Sequence, residues 1–204
     1  MSERLNRAIV ALLGAGLMIA LGLLNQEEAI RGVDFNTLGL LAGMMMIVAI
    51  SRRSGVFQYV AIAAAQTCRA SPAGVLALLA VVTAVFSALL DNVTTVLLVA
   101  PVTLVIAREL KVNPYPFLFS EIFASNIGGT ATLIGDPPNI LIGSAAHLTF
   151  TDFLQALGPV ALVVLAMHCA IMYLLWGRKL HATLESRASV MALGWRASIT
   201  DARL

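Results

Sequence analysis

The sequence predicts an all-α, polytopic membrane protein, and three observations carry that prediction. Apolar residues make up 59% of the chain and charged residues only 12%, with a mean hydropathy of +0.90; soluble domains carry about a quarter charged side chains. The charges are clustered, which leaves uncharged runs at 8–26, 35–51, 70–90, 92–107 and 153–177, comparable to the roughly 20 residues a helix needs to cross about 30 Å of hydrocarbon. The alternating apolar and polar pattern of an outer-membrane barrel strand is missing, and backbone amides in lipid must bond within their own segment, so the spans are helices.

The first span, 8–26, follows Arg4 and Arg7 and invites a secretory-signal reading. No small-x-small cleavage site follows it, however, and further spans do. The loop to the second span, 35–51, is acidic, with Glu27, Glu28 and Asp34 beside Arg31. Every other basic residue falls on the opposite side: Arg4 and Arg7, then Arg52, Arg53 and Arg69, then Arg108 and Lys111, then Arg178, Lys179, Arg187, Arg196 and Arg203. Lys and Arg accumulate in cytoplasmic loops, so both termini are expected inside, in the inner or plasma membrane. Residues 54–69 set Val56, Val60 and Ala63 or Ala64 at helical spacing beside Gln58, Gln66 and Arg69. They form either a helix lying along the cytoplasmic interface or an extension of the preceding span. Cys68 and Cys169 lack metal-ligand spacing and read as small packing residues.

The stretch 70–107 is apolar except at 87–95, Ser-Ala-Leu-Leu-Asp-Asn-Val-Thr-Thr. Asp91 is an ionisable group in a membrane segment, which costs about 2.5 to 3.5 kcal/mol on insertion scales and so marks a functional position by default. The helix after it, 93–107, is short for a full span, which predicts a hairpin over 72–108 that turns back near the midplane. Such a turn aims a helix N-terminus at the site, and Asp91 and Asn92 are good N-cap residues for it. The rival reading has Asp91 cap a complete span at the wet outer surface.

The segment 117–146 contains SNIGGTATLIGDPPNILIG at 125–143. Gly128-Gly129 allows positive φ and close backbone approach, and Pro137-Pro138 cannot continue a helix. A broken helix is expected, since unwound backbone at membrane depth survives only where it is buried or lines a cavity, and there its carbonyls can bind cations. Ser125, Asn126, Thr130 and Thr132 add side-chain oxygens of the kind hard cations need, and Asp136 stands where the second half-helix begins. Simple close packing of small residues would explain Gly128-Gly129 but not the GDPPN that follows. Glu121, one turn before Ser125, either joins proton coupling or pairs with Arg108 or Lys111, the second being the stronger expectation. His168, in the last span at 153–177, and Met44 to Met46 read as packing residues.

Asp91-Asn92-Val93-Thr94-Thr95 followed by SNIGGTATLIGDPPNILIG resembles the ion transporter superfamily, and within it the branch of arsenite permeases, NhaD-type sodium/proton antiporters and the melanosomal P protein, with citrate transporter-like domains. GMMMIVAISRRSGVF at 43–57 adds to the likeness. The resemblance implies a transporter of two inverted repeats, each with a re-entrant hairpin and a broken helix, working by an elevator motion. It carries Ser87, Asp91, Asn92 and Thr94 over to the hairpin tip, and Ser125, Asn126, Gly128, Gly129, Thr130, Asp136, Pro137, Pro138 and Asn139 to the broken helix. A bound sodium would draw on Ser87, Asp91, Asn92, Ser125 and Gly128. Dicarboxylate carriers show serine-asparagine-threonine at the tip, whereas Asp91-Asn92-Val93 stands here, which favours a cation or proton as coupling ion, with no other cofactor. The cargo is then an inorganic ion such as sodium, a proton or arsenite, with a citrate-like organic anion as the alternative.

The chain holds each element once, so it reads as one repeat, 1–177, and a cytoplasmic linker, 178–204, toward a missing C-terminal repeat, in an assembly that relatives build as a homodimer. Its partners would be the lipid bilayer and a small ion, not nucleic acid. A membrane enzyme is the first rival, but Asp91, Glu121, Asp136 and His168 provide no nucleophile and base at paired spacing and no zinc motif, so no enzymatic activity is expected. The second rival is a non-transporting assembly subunit, in which the polar positions only bind helices together.

Overall fold

A computed structural model describes residues 6–194 of the chain as helices joined by short turns, with no strand among them. Arg4, Arg196 and Arg203, used above for orientation, lie outside the described residues. The chain is an all-α polytopic membrane protein. Among the described residues, four helices are long and apolar enough to cross a bilayer: 35–52, 72–89, 92–109 and 150–177. It divides into two compact units, up to Gly39 and from Leu40 onward.

The first unit holds α1 (Arg7–Ala20) and α2 (Gln26–Arg31) and opens α3 (Phe35–Arg53). Asn6 caps α1 by accepting from the Ala8 amide at 3.0 Å, and Gly22, at φ 70°, turns the chain out of the helix within the apolar run. Asn25 and Glu28 form a reciprocal capping box on α2, and Asp34 accepts from the amides of Asn36 and Thr37 to start α3. Leu12, Leu13 and Leu17 of α1 are bare, as helix faces that meet lipid are.

In the second unit, Ser54 and Gly55 separate α3 from α4 (Val56–Thr67), with Gly55 left-handed at φ 76°. The segment is therefore a distinct helix, not an extension of the preceding span. Its buried face is Phe57, Ala61, Ile62, Ala64 and Ala65, so of the expected Val56, Val60 and Ala63 or Ala64 only Ala64 lies on it, and Val56 is exposed. Ser71 caps α5 (Pro72–Leu89) with Pro72 in its first turn, and Asp91 caps α6 (Asn92–Glu109). At 18 residues each, about 27 Å at 1.5 Å per residue, both arms of this hairpin are long enough to cross; α6 is not the short helix that residues 93–107 alone predict.

The next element breaks as its sequence requires. α7 (Tyr115–Thr130) stops, residues 131–136 are irregular, and α8 (Pro137–Ala146) begins on Pro137-Pro138, whose missing amides fall where a helix has no internal acceptor. His147, at φ 55°, ends α8. A Thr149–Asp152 capping box then starts α9 (Phe150–Met172), which runs on through a π-helical turn, Tyr173–Gly177. α10 (Leu184–Met191) completes the unit.

Packing runs in layers along the hairpin, and Val48, Phe57 and Leu98 with Phe86 and Leu90 form a further cluster near its tip. At its base, Ala61, Ala65 and Ala70 join Leu76, Leu79, Ile106, Leu110, Phe117, Met172 and Val190 in one core. Further up, Ala80 and Ala84 of α5 meet Ala124 of α7. The matching residues ascend together, so α5 and α7 run parallel, with α6 antiparallel between turns. α9 descends: His168 meets Ser120 and Phe123, and Trp176 meets Phe119. Its outward residues Leu162, Val163 and Met167 are bare.

Candidate functional site

Small residues at four-residue spacing let α5 and α7 approach until backbone meets backbone. A Cβ on Gly128 would run into the backbone of Ala84, and one on Gly129 would lie 2.8 Å from the Gly135 carbonyl and 3.4 Å from the Ser87 hydroxyl. Gly135 is equally confined: a Cβ there would lie 2.5 Å from the Gly129 carbonyl oxygen and 2.8 Å from that of Ser87. Gly128 and Gly129 lie inside α7, and the described positive-φ glycines are Gly22 and Gly55. The GG pair therefore serves close approach and not a left-handed turn, and the helix breaks just beyond it.

That approach brings the hairpin tip against the broken helix. The Ser87 hydroxyl donates to the Ser125 carbonyl at 2.6 Å, and the Thr132 hydroxyl donates to the Ala88 carbonyl at 2.5 Å. The Asn92 amide donates to Asn126 Oδ1 at 3.1 Å. Within the break, Thr132 Oγ1 accepts from the Gly135 amide, and the Asn139 side chain donates to the carbonyls of Gly129 and Thr132 at 3.2 and 2.9 Å. The loop is held as firmly as a helix, by side chains that replace its missing backbone bonds.

At the tip, Leu90 and Asp91 are extended, and Asp91 Oδ1 accepts from the Thr94 amide at 2.8 Å. Asp136 occupies the N-cap of α8 without a side-chain cap bond and lies close enough to feel the Asp91 charge. The N-termini of α6 and α8, each headed by an aspartate, thus both lie at this crossing. Beside them a groove of about 280 Å³ opens between α6 and α7, lined by Asn92, Val93, Val96, Leu97, Ile122, Ser125 and Asn126.

Nine expected site residues gather here: Ser87, Asp91, Asn92, Ser125, Asn126, Gly128, Gly129, Asp136 and Asn139. Thr94 contributes its amide to the cap. Thr130 turns its hydroxyl back to the Ile127 carbonyl of its own helix and is exposed, and Pro137 starts α8. Because Ser87 and Ser125 donate to carbonyls of Ser125 and Ile122, their oxygen lone pairs remain able to face a cation.

Gly135 and Thr103 belong to the surroundings of the site and were not singled out by the sequence. The spacing Ala80, Ala84, Ala88 against Ala124, Gly128 is the signal that could have revealed the close crossing. Glu121 departs from its stronger expectation: it is buried on α7 and bonds to the Thr103 hydroxyl of α6, whereas Arg108 and Lys111 are exposed. His168 is half-buried, 3.0 Å from Ser120 Oγ and stacked on Phe123.

The sequence pattern of a family described as citrate transporter matches residues 1–201. Among individual proteins, a 46 kDa membrane protein of Mycobacterium leprae is 45% identical over 204 residues, covering 98% of this chain and 48% of the relative. A protein of Mycobacterium tuberculosis described as an uncharacterized transporter is 46% identical, with 98% and 47% covered. The human P protein is 37% identical over 190 residues, with 88% and 23% covered. The chain thus spans about half the length of the mycobacterial relatives.

Proposed function

The chain belongs to the citrate transporter family, with a role in membrane transport, and from that premise we propose that it is one half of a cation- or proton-coupled secondary active transporter. The observation that carries this reading is the meeting of the hairpin tip with the broken helix, where Asn92 bonds Asn126 and Asp91 and Asp136 head the helices that begin there. Helix N-termini alone favour anions. Two carboxylates placed on them offset that preference and make the crossing suited to a cation or a proton, which binding of the other would displace. The hydroxyls of Ser87 and Ser125 and the Asn92 amide oxygen add ligands of the type sodium takes.

In this reading the cargo is an inorganic ion such as sodium or arsenite, moved against sodium or protons by an elevator-type displacement of the hairpin and broken helix together. Their shared hydrogen bonds support such joint movement. A citrate-like organic anion is the second reading, favoured by the described family and by the two N-termini. The hairpin is taken as re-entrant and both termini as cytoplasmic, in the inner or plasma membrane.

Ion exchange in membrane vesicles bearing the complete gene product tests the proposal. Asp91→Asn keeps the cap acceptor but removes the charge, so it is expected to abolish sodium- or proton-driven exchange while the protein still inserts and folds. Wild-type exchange across pH in that variant would overturn the reading.

A further inference from the structure

One turn before Ser125, Glu121 is only 1% exposed. Its Oε1 accepts from the Thr103 hydroxyl, and its Oε2 has no hydrogen-bond partner among the described residues. The surroundings offer little charge. α5 carries no Asp, Glu, Lys, Arg or His, and Glu121 is the one such residue of α7. α6 carries Arg108 and Glu109, both at its base, with Arg108 exposed. α9 carries Asp152 at its far end and His168, whose Nε2 is occupied with Ser120 Oγ. An ionised carboxylate in that position would exchange its hydration for a single hydroxyl and leave one oxygen empty, which buried charges do not tolerate without further partners. A proton on Oε2 removes the charge, and the O–H it creates calls for an acceptor such as an ordered water.

A second buried group points the same way. Thr95 is fully buried, and its Oγ1 also lacks a partner. It lies eight residues from Thr103 along α6, about 80° round the helix and about 12 Å toward the tip. Buried polar atoms without protein partners are places where ordered water sits. Thr83 of α5 is likewise fully buried with an unpartnered hydroxyl, so Thr103, Glu121, Thr83 and Thr95 are buried polar positions between the base of the hairpin and its tip at Asp91 and Asn92.

We propose that Glu121 is a proton-binding site, holding its proton on Oε2 and exchanging it with water by way of these buried polar positions. The proposal deepens the transport reading and rests on it for one consequence: the protein gains a proton carrier one helical turn from the ion site, in addition to Asp91. The proton leaves as hydronium and the carboxylate remains with Thr103, so no further reactant is involved.

Infrared spectroscopy of the 204-residue chain in lipid tests this without any transport assay. The expected result is a C=O stretch of a protonated carboxyl at neutral pH that shifts in deuterium oxide, disappears reversibly as pH rises, is lost in Glu121→Gln and persists in Asp91→Asn. Thr103→Val keeps the carboxyl but removes its donor, and should move the band to higher frequency, so the assignment stands even if the Gln variant folds poorly. No acid band at neutral pH, or one that neither shifts nor titrates, overturns the proposal and leaves the transport reading intact. Absence of ion flux in vesicles, with the band in place, would sink the transport reading alone.

Discussion

In the proposed reading the Asp91 carboxylate serves two purposes, and substitution separates them. Its Oδ1 caps α6 through the Thr94 amide, a role asparagine fills equally well and alanine does not. Asp91→Asn should therefore match wild type in thermal unfolding, while Asp91→Ala should lose about 1 kcal/mol; equal losses in both would mean that the charge, not the cap, holds the tip. Thr132 serves the loop alone, giving its hydroxyl to Ala88 and accepting from Gly135. Thr132→Val leaves two buried backbone groups unmet and is expected to cost about 1–3 kcal/mol, read as a lowered melting temperature that Thr132→Ser restores. Asp91, Asn92 and Asn126 were legible in the sequence because polar groups are expensive in an apolar run. The partner of Glu121 was not, because nothing in the spacing of α6 says which of its faces meets α7.

Among the elements, α5 and α7 make the contact on which the site depends. The Ala84 backbone occupies the space a side chain at Gly128 would need. Gly128→Ala must therefore push the helices apart, at a cost of about 1–3 kcal/mol or more for overpacking, and should also lengthen the Ser87–Ser125 and Asn92–Asn126 bonds. The expected outcome is a lower melting temperature together with loss of ion exchange; a stable, active Gly128→Ala protein would show that the crossing tolerates separation. The sequence announced a broken helix through Pro137-Pro138, and the break is there. Its position was less legible, because glycine pairs serve both turns and tight crossings, and only the facing Ala80-Ala84-Ala88 row decides between them. The buried face of α4 escaped for a related reason: in a segment rich in alanine, periodicity barely distinguishes one side from another.

In the second unit Arg69, Arg108, Lys111, Arg178, Lys179 and Arg187 lie toward the base of the hairpin, whereas Arg52 and Arg53 close α3, at the other end of α4 from Arg69. Arg187 donates to the Arg69 carbonyl at 2.8 Å, and Gln66 donates to the carbonyls of Val190, Met191 and Leu193, fastening α10 beside the base of the hairpin. Lys111 and Lys179 adjoin Leu110 and Leu180 of the core at that same end. The opposite end of α9 carries the exposed, uncharged turn at 147–149. From Phe150 to Gly177 the chain is continuous and apolar for 28 residues, about 42 Å if helical throughout, which exceeds the roughly 30 Å of hydrocarbon and is long enough for its two ends to reach different aqueous compartments. With Lys and Arg favouring the cytoplasm, a single cysteine introduced as Lys179→Cys, in a chain whose Cys68 and Cys169 have been changed to alanine, should react with a membrane-impermeant maleimide only after cells are permeabilised. Leu148→Cys in the same background should react in intact cells. The reverse pattern would invert the orientation while keeping the span, whereas labelling of both from one side would mean that α9 does not cross and that the hairpin packed against it lies elsewhere than in the bilayer.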